Sequence, residues 1–204
     1  MPEHEEALVL KTEPSGESFL KLHILTEEQG IFLCLKRISK RAGPSAAPDI
    51  FDTALVILEN SKQGSLRFVK EYQLVKRRES IGQNYRSLHS ASTFARLLIR
   101  NGAHMPESLV LFDLTQRTLD AFAEDKAPEI VLLKSLYLLL KDEGYPVRES
   151  WWPELPPAWR EPTRALLRQP TPAKTDRETR EFCEHLEQHL TRWMRHHTDL
   201  IPGE

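Results

Sequence analysis

Ala7-Leu-Val-Leu-Lys11, Phe19-Leu-Lys-Leu-His-Ile-Leu25 and Ile31-Phe-Leu-Cys-Leu35 follow one another, parted only by short stretches containing Gly16-Glu-Ser18 and Thr26-Glu-Glu-Gln-Gly30. In the second run Leu20, Leu22 and Ile24 alternate with Lys21 and His23, the two-residue period of a strand with one dry and one wet face. The third run is apolar on both faces, because Phe32 and Cys34 alternate with Ile31, Leu33 and Leu35. Two more strand-like runs, 52–59 and 65–76, follow a long connection rich in Gly, Pro and Ala. With the first three at 6–12, 17–25 and 30–37, they make five short strands separated by turn-type residues. Five strands with the longest gap after the third predict a small closed barrel of the OB type, the gap itself being loop.

Beyond residue 80 the period becomes helical. Tyr85, Leu88, Ala91, Ala95, Leu98 and Ile99 share one face of a helix predicted over about 81–101, which Gly102 can end. Pro106 and Pro128 suit the first positions of two further helices. The later one, 129–143, is apolar nearly all round and is expected at the centre of a helical bundle, stopped by Gly144. Residues 146–174 hold seven of the fourteen prolines and three of the four tryptophans, which predicts an ordered loop with at most a short helix near 160–168. A last helix is predicted from Thr175, in a capping box with Glu178, burying Phe182, Leu186, Leu190 and Trp193. The fold class is therefore α+β: an N-terminal five-stranded OB-type barrel over 1–79, then an all-helical domain over 80–204.

The order of these features resembles the RecO family of bacterial recombination mediators. The resemblance rests on the three-strand start with its Glu17-Ser18 and Thr26-x-x-x-Gly30 punctuation, and on the tandem helices after the barrel. It also rests on Leu138-Leu-Leu-Lys-Asp-Glu-Gly-Tyr145, similar to the Leu-Leu-x-x-x-Gly-Tyr that closes a core helix in the family's helical domain. Two departures stand out. Arg37 follows Lys36 where the family commonly has glycine, and the four-cysteine zinc module of many members is replaced by the segment around Trp151-Trp152. The zinc site is not carried over, and no cofactor is expected. The resemblance implies binding of single- and double-stranded DNA, strand annealing, and work with a RecR-like protein and single-stranded DNA-binding protein to load recombinase.

A net charge of −2 hides an asymmetry. From 36 to 100 there are 13 Lys and Arg against 5 Asp and Glu, and from 101 to 204 there are 13 against 18. Lys36, Arg37, Lys40 and Arg41 leave the third strand and enter the long loop, where OB folds meet nucleic-acid backbones. Arg67, Lys70, Lys76, Arg77 and Arg78 extend that candidate surface, and Phe19, Phe32 and Phe68 are available as aromatic platforms. A solvated charged loop and strand edge explains the same cations without any ligand. Arg86, Arg96 and Arg100 are placed on the exposed face of the first long helix; by the resemblance they could take the acidic C-terminal tail of single-stranded DNA-binding protein, and a solvated face explains them more simply.

Other chemistries find little footing. Cys34 and Cys183 are the only cysteines, so neither a disulfide framework nor a four-cysteine zinc site can form. His185 and His189 lie four apart near Cys183, but the glutamate between them is misplaced for the His-Glu-x-x-His chemistry, and no metal is expected. Gly-x-Ser-x-Gly, Walker-type and Gly-x-Gly-x-x-Gly motifs are missing, so the sequence reads as a binder and not an enzyme. No run approaches the length of a membrane span, and the acidic start lacks secretory character, which together predict a cytoplasmic protein. The rival reading is a protein-interaction module of the same architecture without DNA binding, with a groove lined by Trp151, Trp152 or Trp159.

Overall fold

The computed structural model describes residues 4–38, 47–61, 66–105 and 108–203. Five strands, β1 Glu5–Ser15, β2 Phe19–Thr26, β3 Gly30–Arg37, β4 Thr53–Asn60 and β5 Arg67–Lys76, close into a barrel in the order β1-β2-β3-β5-β4. β1 returns to pair with β4, and every pairing is antiparallel except β3 with β5. The OB-type arrangement expected from the strand pattern is thus present. Leu22, Ile24, Cys34, Val56 and Val69 fill the centre, with Leu20, Phe32, Leu58 and Tyr72 packed around them. In β2 the inner residues alternate with Lys21 and His23, so one face of the strand leaves water as the sheet closes on itself. Gly16 turns β1 into β2 with φ of 66°, a conformation that costs glycine little.

The chain divides into two compact units, Met1–Arg78 with Gly102–Asp113, and Glu79–Asn101 with Leu114–Glu204. The sequence boundary near residue 79 is close to this division, but 102–113 cluster with the barrel. A single 3₁₀ turn, Gly102–His104, lies so close to β3 that a Cβ on Gly102 would sit 2.7 Å from Ile31 Cβ. Only glycine fits there without movement.

In the second unit the predicted helix 81–101 is two helices, α1 Glu79–Gln83 and α2 Tyr85–Asn101. Asn84 makes the break, its Oδ1 accepting from the Arg86 and Ser87 N–H groups at 3.0 and 3.4 Å. Tyr85, expected on the buried face, is 78% exposed, and Phe94 and Leu97 are buried instead. The helix start expected at Pro106 lies outside the described residues; the described helix is α3 Ser108–Ala123. α4 Pro128–Asp142 has the expected all-round burial and packs against α2 and α7 Arg177–His197.

The Pro- and Trp-rich segment corrects an expectation. It forms a π-helical turn Val147–Trp151, a short α5 Trp152–Glu154 and a full α6 Pro157–Arg168. Pro153 and Pro157 stand in first turns, where a missing N–H costs nothing, so proline density did not forbid helix. The cap of α7 lies one residue later than predicted. Asp176, not Thr175, accepts from the Thr179 N–H, at 2.6 Å, while the Thr175 hydroxyl donates to Glu129. Phe182 is only half-buried, and Cys183 and Met194 join Leu186, Leu190 and Trp193 in the buried stripe. Among the described residues no helix is long and apolar enough to cross a membrane.

Candidate nucleic-acid interface

Directly opposed residues of paired strands share a face. Leu22 opposes Cys34 and Ile24 opposes Phe32 on the inner face, so the alternate pairs Phe19 with Arg37, Lys21 with Leu35, and His23 with Leu33 face outward. β1 extends this outer surface with Glu13 opposite Lys21 and Lys11 opposite His23. β5 extends it on the other side with Phe68 opposite Leu35. The Phe19 and Phe68 rings meet edge to face, 6.2 Å apart. The result is an apolar strip of Phe19, Leu33, Leu35 and Phe68 flanked by Lys21, Arg37, His23 and Lys11.

Electrostatically this face is graded. Lys11 pairs with Glu13 at 3.0 Å, which holds the Glu13 carboxyl below its ordinary range, and Lys70 pairs with Glu59 at 2.8 Å. Lys21 and Arg37 are exposed and form no ion pair among the described residues. His23 is half-buried with Nδ1 out of contact with water and without a hydrogen-bond partner. Burial first, and Lys11 second, push its pKa down, against the pull of Glu13. A neutral imidazole therefore sits between two lysines. Such a surface suits nucleic acid: aromatic faces and leucines for bases, cations for phosphates.

The cations expected at this interface divide differently from their order in the sequence. Arg37 is on the outer face. Lys36 points to the barrel interior side, its Nζ donating to the Lys70 carbonyl at 3.0 Å and its pKa lowered by burial. Arg67 lies over the Phe32 ring at 4.3 Å and donates to Gln29, which in turn donates to Glu5 at 2.7 Å. Arg77 is fixed by both oxygens of the buried Asp52, at 3.0 and 2.9 Å, and by the Ala47 carbonyl. Arg78 is buried and donates to the Phe51 carbonyl and Thr53 Oγ1 at 2.7 and 2.9 Å. Lys70 is tied to Glu59, Lys76 is exposed at the end of β5, and Lys40 and Arg41 lie outside the described residues. Lys11 and Lys21, which the runs of cations do not include, stand singly among apolar neighbours in the sequence with no cluster to mark them. Cross-strand register brings them together.

In the helical unit Arg86 is exposed, but Arg96 and Arg100 donate to the Gly203 and Pro202 carbonyls. Trp151 is wholly buried, whereas Trp152 and Trp159 are half-buried, Trp159 packing edge-on against the half-buried Phe182 with the exposed His185 stacked on it at 6.2 Å. Cys183 is buried, which pushes its thiol up to about 12, and His189 Nδ1 accepts from Trp151. Among the described residues no group of three or more His, Cys, Asp or Glu side chains is placed to hold a metal. No family model matches the chain, and no curated protein matches it in sequence.

Proposed function

We propose that the barrel binds single-stranded nucleic acid across the outer face of β2 and β3, as part of a RecO-like DNA repair and recombination protein that anneals strands. The observation that carries this reading is the apolar strip of Phe19, Leu33, Leu35 and Phe68 bordered by Lys21 and Arg37. Bases rest on the strip, and the cations screen phosphate repulsion while strands pair. Double-stranded DNA, a RecR-like protein and the tail of single-stranded DNA-binding protein are the further partners that the family resemblance supplies to this reading.

Fluorescence anisotropy of a labelled single-stranded oligonucleotide at two salt concentrations tests it. Phe19→Ala with Phe68→Ala should cost about 1–3 kcal/mol for each base that no longer stacks. Lys21→Ala with Arg37→Ala should flatten the salt dependence by roughly 0.7 for each phosphate no longer neutralised. If the native chain fails to bind at low salt, the barrel is instead a protein-interaction module. That second reading is favoured by Arg67, Lys70, Arg77 and Arg78 being committed to partners within the chain.

A further inference from the structure

Three polar side chains of α2 grip one extended segment by its main chain. Asn101 pairs with Ile201 on both sides: Nδ2 donates to the Ile201 carbonyl at 2.8 Å and Oδ1 accepts from the Ile201 N–H at 2.7 Å. Arg100 donates to the Pro202 carbonyl and Arg96 to the Gly203 carbonyl, each at 2.8 Å. Side-chain selection is confined to two places. Leu200 is buried, whereas Ile201 is 55% exposed. Gly203 is also buried, and a Cβ there would lie 2.3 Å from the Thr93 carbonyl oxygen and 2.9 Å from the Leu97 nitrogen. A cavity of about 250 Å³ adjoins Gly203, lined by Thr93, Leu136, Gln188, Thr191 and Arg192 among others.

We propose that this face of α2 is a peptide groove that takes an extended Leu-x-Pro-Gly segment, and that residues 200–203 are an occupant held in cis, a strap the groove can release. The Asn101 amide copies the hydrogen bonding of a neighbouring strand, the device by which extended peptides are read without regard to most of their side chains. Proline is suited to the third position because the grip there uses a carbonyl and asks for no N–H. Glycine is required at the fourth by its closeness to the α2 backbone. The strap competes with any free peptide at an effective concentration on the order of millimolar, so the groove is self-occupied at rest. This inference does not depend on nucleic-acid binding by the barrel.

The test uses a fluorescein-labelled peptide, Thr-Asp-Leu-Ile-Pro-Gly, titrated into the full chain and into full-length Gly203→Ala. The substituted strap cannot seat, so the peptide should bind this variant at least about ten-fold more tightly than the unaltered chain. Asn101→Ala in the Gly203→Ala background should abolish that binding, as should alanine in place of the peptide's glycine. A second measurement avoids any folding defect of the variants: millimolar unlabelled peptide added to the unaltered chain should raise deuterium uptake in residues 199–203 alone. Equal peptide affinity for the two chains, or uptake in 199–203 that peptide leaves unchanged, overturns the proposal.

Discussion

Trp151 Nε1 donates to His189 Nδ1 at 3.0 Å, joining the π-helical turn to α7 at a point where the indole is wholly buried. The bond fixes the imidazole in the form that keeps Nδ1 free of hydrogen. His189→Leu would leave the indole N–H unpaired inside the protein. The expected loss is about 1–3 kcal/mol in urea unfolding followed by tryptophan fluorescence. His189→Gln, which can present a carbonyl oxygen, should lose less.

Asp52 is buried completely and receives the Tyr72 hydroxyl at 2.8 Å, the Asp49 N–H at 2.9 Å and the Arg77 guanidinium. Burial, then the bond to Asp52, raises the Tyr72 pKa. Asp52→Ala strands a tyrosine and an arginine together, and should cost about 3 kcal/mol or more in chemical denaturation. Arg77→Met, leaving Asp52 buried without its counter-charge, should cost a comparable amount.

His23 links the proposed interface to pH. Its pKa is lowered by folding, so as pH falls through about 6.5 the unfolded chain gains a proton that the folded barrel resists, and stability declines in acid. A phosphate bound close to the solvent-facing part of this half-buried ring favours the protonated form, so binding takes up a proton. Oligonucleotide affinity should therefore rise between pH 7.5 and pH 5.5 more steeply for the native chain than for His23→Gln. Parallel pH profiles would remove His23 from the interface.

Burial pushes both thiols, Cys34 and Cys183, up to about 12. Each is thus a neutral, unreactive group in the folded chain, and alkylation at pH 8 should proceed only after unfolding. The sign of the pH effect is opposite to that of His23. Above about pH 8.5 the unfolded thiols ionise and the folded ones do not, which lowers stability by roughly 1.4 kcal/mol per pH unit for each. Cys34→Ala should remove its share of that alkaline slope.

The barrel was legible because its inner residues alternate with polar ones along single strands, as Leu20, Leu22 and Ile24 do around Lys21 and His23. All-round apolarity placed α4 equally well. What escaped depended on distant residues meeting in space. Tyr85 has the right spacing to join the buried face of α2, yet Asn84 caps that helix directly before it and leaves the ring in water. Runs of adjacent cations mark a candidate interface, but charge adjacency in sequence says nothing of whether a partner such as Asp52 or Phe51 waits across the sheet. Lys11, Lys21 and Arg37 come together only through strand register, which no single strand reveals.

The parallel pairing of β3 and β5 spans just Cys34 to Lys36 against Arg67 to Val69. Every other edge of the barrel runs longer, so the sheet is in effect a ribbon fastened along one narrow seam. Two cations reinforce its backbone ladder: Lys36 crosses to the Lys70 carbonyl, and Arg67 crosses to the Phe32 ring. Removing either charge therefore loosens the clasp of the barrel as well as its electric field. Charge substitutions at these two positions report on closure first, while the outward-facing Lys21 and Arg37 can be neutralised with the seam intact.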